Sequence, residues 1–297
     1  MGQYSNSELI LNPDGSIFHL HLFPEQISDH VLLFGDPARV AMAGEHLERV
    51  EILASNREFV SLNGYFNSHR ITVMSTGIGT DNVDIVMNEL DALVNIDLKS
   101  REIRPSHRSL NLIRLGTSGS LQPDLPAGAF VASSWSVGLD GVMHYYERRP
   151  NSERDHFEDL FTGSVGWPAQ LPRPYAEKAS EKLLALVADF SQPGITVSAH
   201  GFYGPQGRCL RAPLAVPDLN RRLQRVRYQG LRTTNFEMES SALYGLSGLL
   251  GHDALTVCLI IANRATGDFL GNYNENIGDL IGKTLASLFN QRQNGTE

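Results

Sequence analysis

Short β-rich apolar runs alternate with amphipathic helical patterns along nearly the whole of this chain. Residues 31–34 read as a strand that stops at Gly35-Asp36-Pro37 and leads into a helix over 38–47. Proline suits a helix start, where its missing N–H is not needed. Residues 71–74 read as a second strand, followed by the loop Ser75-Thr76-Gly77-Ile78-Gly79-Thr80. Asp81 then caps a helix to about 94, with Val83, Val86, Met87 and Leu90 on one face. Further strands are expected at 110–115 (closing on Gly116), 130–137, 195–202 and 255–262. Further helices are expected at 175–190, 238–250 and 275–290. Such alternation predicts an α/β fold with a largely parallel or mixed central sheet. Ligands of such sheets sit at the carboxyl ends of the strands. Two polar stretches, 95–109 and 145–174, read as surface insertions, so residues 1–297 form one domain.

The bulk numbers narrow the partners. A formal charge of −8 argues against nucleic acid, although local arginines can still hold a small anion. The two cysteines, Cys209 and Cys258, form no C-x-x-C pair. That fits a reducing, cytoplasmic setting rather than a disulfide framework or zinc ribbon. The N-terminal segment lacks a basic region followed by an apolar stretch, so no signal peptide is expected. Met1-Gly2 is followed by Asn6 where myristoylation wants Ser or Thr. The longest apolar run, 254–262, is too short to span a bilayer.

Several segments carry polar residues where apolar ones would pack more cheaply. Arg114 ends the run LNLIR, and arginine at such a place needs a partner. Thr117 follows between glycines that permit close approach. Together they suit an oxyanion, although a structural carboxylate could equally be the partner. Gly35 and Arg39 stand at a strand end and one turn into a helix, where backbone donors favour anions. Taken alone this is also an ordinary strand-to-helix turn. Arg57 in SNREF is a further candidate that in isolation would be a surface arginine. Thr76-Gly77-Ile78-Gly79 lacks the third glycine of a dinucleotide fingerprint.

A second group suits a flat polar ring and a sugar. In FYGPQGR, Gln206 offers an amide donor and acceptor and Arg208 a guanidinium fork, beside Phe202 and Tyr203. A uracil edge alternates acceptor, donor and acceptor, which this pair can match. An aromatic could cover the ring face. Without other support, a polar loop with an aromatic anchor explains the segment as well. Glu237-Met238-Glu239 opens a helix and would ordinarily be a solvated first turn. Alternatively Glu239 accepts from vicinal sugar hydroxyls while Met238 packs under the sugar. His19 in IFHL is by default structural.

In this order the pieces resemble the nucleoside phosphorylase family, nearest to its uridine-cleaving branch. The matching stretches are IFHL, FGDPARV, SNREF, STGIG, RLGTSG, LDG, FYGPQGR, NFEMES and ANRATGD, which together span nearly the whole chain. The resemblance implies a single α/β domain whose central mixed, partly barrel-like β-sheet is flanked by helices. It implies reversible phosphorolysis of a nucleoside, in pyrimidine salvage or catabolism. The implied phosphate site is Gly35, Arg39, Arg114 and Thr117, with Arg57 from a neighbouring subunit. The implied ribose site is Glu237, Met238 and Glu239, with His19 also from the neighbour. The implied base site is Ser118, Gly119, Phe202, Gln206 and Arg208, with Arg264 supporting the last two. Arg114, Gln206, Arg208 and Glu239 would carry the catalysis.

Purine-cleaving relatives place an aspartate in the segment here written Ile260-Ile261-Ala262-Asn263-Arg264; none stands there. That absence and the Gln-x-Arg pair both favour a pyrimidine. The departures are Thr80 for glycine, Asn82 for serine and Ser118 for threonine. Asn82 stands near a monovalent-cation site of some relatives; Glu58 is retained, and no cation is predicted. No metal or cofactor is expected, with inorganic phosphate as co-substrate. The expected partners are a small-molecule nucleoside and phosphate, with no nucleic acid and no membrane. A homo-oligomer is expected, a dimer as its minimum and a hexamer as the family's bacterial habit. Competing outcomes are a purine or broad-specificity phosphorylase, a nucleosidase of the same fold, or a nucleoside-binding protein without turnover.

Overall fold

The computed structural model describes residues 3–289; the Met1-Gly2 start and Asn290 of the predicted last helix lie outside them. In chain order the elements are β1 (His30–Phe34), α1 (Ala38–Gly44), β2 (Glu48–Asn56), β3 (Phe59–Phe66), β4 (His69–Ser75) and α2 (Thr80–Asn95). A small hairpin, β5 (Ile96–Asp97) with β6 (Glu102–Ile103), precedes β7 (Asn111–Ser120) and β8 (Phe130–Gly138). Next come α3 (Ser152–Val165), β9 (Tyr175–Lys178), α4 (Glu181–Leu186) and β10 (Gln192–Ser198). The chain continues through α5 (Leu219–Leu223), β11 (Arg227–Tyr228), β12 (Leu231–Glu237), α6 (Ser240–Leu250), β13 (Asp253–Asn263) and α7 (Asn274–Phe289).

The sheet is mixed and eleven-stranded, with path β11-β12-β10-β8-β13-β7-β1-β4-β3-β2 and β9 on β8. An additional pairing of β12 with β7, at Phe236↔Gly119, closes β7, β13, β8, β10 and β12 into a five-stranded barrel. Closure removes two sheet edges and buries the barrel interior. The parallel strands β4, β1, β7 and β13 run side by side, so their carboxyl ends meet on one rim. The main apolar cluster lies around β1, β4, α2, α6 and α7; a second lies under α3 and includes Trp135, Phe157, Phe161 and Tyr228. Phe157 stacks on Tyr228 at 4.3 Å. Residues 145–174 thus contribute α3 and part of this second core. Among the described residues no helix is long and apolar enough to cross a membrane.

Several local expectations change. Residues 175–190 are not one helix: Tyr175–Lys178 pair with β8 as β9, and only Glu181–Leu186 are helical. The 110–115 strand runs on to Ser120, because Gly116–Ser120 keep pairing with β13. Helix α2 begins at Thr80 with Gly79 as its cap at φ 99°, so Asp81 falls in the first turn instead of capping. The strand read to Phe202 ends at Ser198.

The 95–109 stretch is pinned rather than loose. Asn95 Oδ1 accepts the Arg108 amide at 2.7 Å, and His107 Nε2 lies 2.8 Å from Leu250 O. Asp91, His107 and His252 bring nitrogen and carboxylate atoms within 4.8 Å of one another. The buried His252 Nδ1 accepts the Leu110 amide at 3.2 Å, so its proton sits on Nε2, 3.2 Å from Asp91. A nitrogen already protonated is no metal ligand. The two histidines tie the 107–110 segment to the end of α6 through the His107–Leu250 and His252–Leu110 contacts.

Gly138 has no room for a side chain: an added Cβ would lie 2.2 Å from the Tyr175 ring. A rigid, fully buried ring cannot step aside. Gly138→Ala is expected to cost about 1–3 kcal/mol, read as a lower urea midpoint at unchanged m.

Candidate active site

The carboxyl ends of β1, β4, β7, β12 and β13 border one large cavity of about 880 Å³. That is within the range of small-molecule sites. Three groups of side chains meet there.

Arg114 lies at its floor, 4% exposed, because β7 is flanked there by β1 (Leu33↔Arg114) and β13 (Thr256↔Arg114). Its guanidinium pairs with two carboxylates, Glu237 at 3.2 Å and Glu239 in a shorter contact. Burial opposes its charge, but Glu239 and Glu237 outweigh that and hold its pKa above the ordinary arginine value. One buried cation is shared by two buried carboxylates. Burial consequently raises the Glu239 carboxyl above the usual carboxylate range, Arg114 opposes this, and Glu237 raises it again. Arg114 Nε has no hydrogen-bond partner among the described residues. Glycine is required at 116, since an added Cβ would lie 2.4 Å from Arg114 Nη1.

Glu237 and Glu239 do not form the solvated helix start expected of them. Glu237 ends β12 and Glu239 is the N-cap residue of α6, both 3% exposed. Glu237 accepts the Glu239 amide at 2.8 Å, the Ser240 amide at 3.0 Å and the Ser198 hydroxyl. It thus satisfies orphan N–H groups of α6 and fixes the turn. Glu239 Oε1 accepts the Gly79 amide at 2.8 Å. The STGIG loop therefore has a task that spacing alone does not show. Gly77 and Gly79 adopt φ of 73° and 99°, which turns that amide toward Glu239. Met238 also lines the cavity.

One side of the cavity holds Gly35, Arg39 and Thr117 beside Arg114. Arg39 Nη2 lies 3.4 Å from the Thr117 hydroxyl, and an added Cβ on Gly35 would lie 3.9 Å from Arg114 Nη2.

The opposite side holds Gln206 and Arg208, where a short helical turn at Gly204–Gln206 buries Gln206 to 3%. Arg208 Nη1 donates to Gln206 Oε1 and to Phe202 O, both at 2.6 Å. Since the Gln206 oxygen is engaged, its amide nitrogen remains as donor. Burial, then the neighbouring Arg264, lowers the Arg208 pKa to about 10, so it stays a cation at neutral pH. The Phe202 ring, half exposed, stacks on the Arg208 guanidinium at 3.8 Å rather than standing free for a ligand. Gly119 faces this pair, with Arg264 Cδ at 3.5 Å and Arg208 Nη2 at 3.8 Å from an added Cβ. Arg264 donates its amide to Ser120 O at 2.8 Å and reaches Gly207 O at 3.5 Å. The Ser118 hydroxyl accepts from buried Asn235 at 2.9 Å.

Two predicted residues stand apart from this cavity. Arg57 sits exposed at φ 53° in the turn between β2 and β3. His19 lies beside Glu89, with Nδ1 to Oε1 at 2.6 Å. The two are close to each other, since the Asn56 amide donates to His19 O at 2.8 Å. Conversely, Glu58, Phe236, Asp268 and the exposed Phe269 line the cavity without having been singled out for it. Glu58, Phe236 and Asp268 lie within the stretches SNREF, NFEMES and ANRATGD, and Phe269 directly follows the last of these. Asn82 lines the cavity too, and its side-chain amide donates to Ile78 O at 3.2 Å.

The family model described as Phosphorylase superfamily matches residues 29–289. The chain is 31% identical over 250 residues to uridine phosphorylase of Haemophilus influenzae, covering 84% of this chain and 86% of that protein. It is 29% identical over 274 residues to uridine phosphorylase of Thermococcus kodakarensis, covering 90% and 84%. A solved nucleoside phosphorylase of Trypanosoma brucei, described as showing uridine phosphorylase activity, superposes with a TM-score of 0.84 at 27% identity. That superposition covers 94% of this chain and 99% of the other. The chain belongs to the phosphorylase superfamily.

Proposed function

We propose that the protein is a uridine phosphorylase, a pentosyltransferase that converts uridine and phosphate reversibly into uracil and ribose 1-phosphate. The observation that carries this assignment is the locked Gln206–Arg208 pair on the rim of the cavity, in which Arg208 Nη1 donates to Gln206 Oε1 at 2.6 Å and leaves the amide nitrogen as a donor. It complements a uracil edge. No aspartate stands in β13 near Asn263 to protonate a purine.

Phosphate lies over Arg39, Arg114, Thr117 and Gly35, on the side of the sugar opposite the base. The glycosidic bond stretches first and the sugar gains oxocarbenium character. A phosphate oxygen forms the new bond to C1′, and the electron pair of the broken C1′–N1 bond leaves on the uracil. Gln206 and Arg208 stabilise that charge as it develops, so their contribution falls on the transition state. Glu239 and Glu237 hold the sugar hydroxyls above Met238, and the arginines keep phosphate in a near-attack position. Ser118 and Gly119 border the base, Arg264 supports the Gln–Arg pair, and Phe202 covers its outer side. No side chain acts as nucleophile and no cofactor is invoked. Arg57 and His19, adjacent to each other and outside this cavity, serve the cavity of a neighbouring copy. The working unit is then at least a dimer, with a hexamer as the larger assembly. The two free cysteines suit a cytoplasmic enzyme of pyrimidine salvage or catabolism.

Ultraviolet monitoring of base release tests this with uridine, thymidine, 2′-deoxyuridine, inosine and adenosine, with and without phosphate. Uridine turnover that requires phosphate is expected. Inosine as the best substrate would make the enzyme purine-directed. Release without phosphate would make it a nucleosidase, and binding without turnover would remove the enzyme assignment.

A further inference from the structure

Behind the sugar carboxylates runs a buried hydrogen-bond chain whose proton directions are fixed by counting donors. Ser198, at the end of β10, gives its hydroxyl proton to Glu237 Oε1. Its oxygen can therefore only accept from its other neighbours, the Ser241 amide at 3.0 Å and the Ser136 hydroxyl at 3.0 Å. Ser241 lies in the first turn of α6 and shares a 2.9 Å contact with the Tyr175 hydroxyl. Tyr175 donates to the Asp140 carboxylate, with both oxygens at 3.0 Å, so the Ser241 hydroxyl donates to Tyr175. Asp140 in turn accepts the Val142 amide at 2.8 Å. Ser136, Ser198 and Ser241 are fully buried, and the Tyr175 ring packs against Gly138. Asp140 belongs to the LDG segment, which the site itself leaves without a task.

The direction of each bond matters for the site. Among the described residues, Glu237 takes a hydrogen bond from outside its own turn only from Ser198, and it faces the Arg114 guanidinium as an ion pair at 3.2 Å. Ser198 is in turn oriented by α6, the helix whose N-cap is Glu239. A shift of Ser198 therefore moves both carboxylates relative to Arg114. A buried network of this kind holds one geometry, and losing one member leaves its neighbours unpaired.

We propose that Ser198 is a positioning residue for the sugar carboxylates, anchored through Ser241 by the Tyr175–Asp140 pair, and that this chain sharpens recognition of the ribose 2′-hydroxyl. The proposal rests on the assignment of Glu237 and Glu239 to the sugar. A substrate with both vicinal hydroxyls depends on the carboxylate geometry more than one that lacks the 2′-hydroxyl.

The test is kcat and KM for uridine and 2′-deoxyuridine at saturating phosphate in wild type, Ser198→Ala and Tyr175→Phe. Tyr175→Phe keeps the ring on Gly138 and deletes only the hydroxyl, so it remains informative if Ser198→Ala does not fold. The expected result is that the uridine to 2′-deoxyuridine ratio of kcat/KM falls roughly fivefold in Ser198→Ala, and in the same direction in Tyr175→Phe. Equal losses on both substrates mean that the chain is merely structural and overturn the proposal, as does an unchanged ratio. A wild type that turns over neither nucleoside overturns the sugar assignment itself, an outcome distinct from active wild type with an unchanged ratio.

Discussion

Arg208→Ala is expected to keep the fold and lose about 100- to 1000-fold in kcat/KM for uridine, mostly in kcat. Among the described residues the Arg208 guanidinium donates to Phe202 O and Gln206 Oε1 and stacks on the half-exposed Phe202 ring. No core residue depends on it. Its burial has already removed part of its hydration, which lowers its pKa to about 10 and leaves an under-solvated cation at the cavity wall. Such a cation gains most when negative charge develops opposite it, as on a departing uracil. The variant also frees Gln206, whose oxygen is no longer engaged and whose amide can rotate. The base loses orientation together with charge stabilisation. Arg208→Lys should recover little, because a point charge cannot hold the Gln206 oxygen and face the ring at once. Steady-state kinetics on uridine and on a nucleoside with a more acidic leaving base separate the effects. The loss should shrink for the better leaving group. A variant with near-normal turnover would remove the ring-recognition scheme.

The strand and helix alternation was legible because β1, β4 and β13 are buried on both faces and read as continuous apolar runs. The barrel closure was not, because the pairing of β12 with β7 joins residues 117 positions apart at Phe236 and Gly119, and no local pattern carries that pairing. Strand β2 escaped notice since all its residues are exposed or half-exposed and show no alternation. Residues 175–178 have the composition of a helix start, yet the Ser134–Gly138 edge of β8 takes them as a strand. Among the residues that line the cavity, some are announced in the sequence by an oddity of chemistry: an arginine at the end of an apolar run, an amide beside a guanidinium. The Glu237–Glu239 pair was visible in composition but not in environment. Its burial follows from Arg114 more than a hundred residues earlier, which makes two carboxylates tolerable inside the protein. Ser198 gave no signal at all, since a serine in a strand is commonplace.

Arg114→Met should do more damage to the protein as a whole than Arg208→Ala. Removing one partner of a buried ion pair leaves an uncompensated charge and costs about 3–5 kcal/mol. Here two carboxylates lose their shared cation. Glu237 keeps its amide donors and Ser198, whereas Glu239 keeps only the Gly79 amide. Glu239 should therefore take up a proton. Its pKa already lies above the usual carboxylate value because of burial, and losing Arg114 removes the one neighbouring charge that opposes this. The sign for stability follows. A carboxyl with a raised folded-state pKa binds more protons folded than unfolded, so it favours the folded state below its unfolded pKa of 4.5 and loses that contribution as pH rises through the folded value. The variant's urea midpoint should fall more steeply than wild type between mildly acidic and mildly alkaline pH. Phosphate use should suffer separately. Arg114 is the buried cation among the anion-side residues, and Arg39 beside Thr117 cannot replace it from the cavity wall. The apparent KM for phosphate should rise by at least about tenfold, the scale of one charged hydrogen bond, while protonated Glu239 becomes a poorer acceptor for the sugar. An Arg114→Met enzyme with wild-type phosphate dependence would end the anion assignment. One with an unchanged pH profile of stability would instead show that Glu239 stays ionised without its cation.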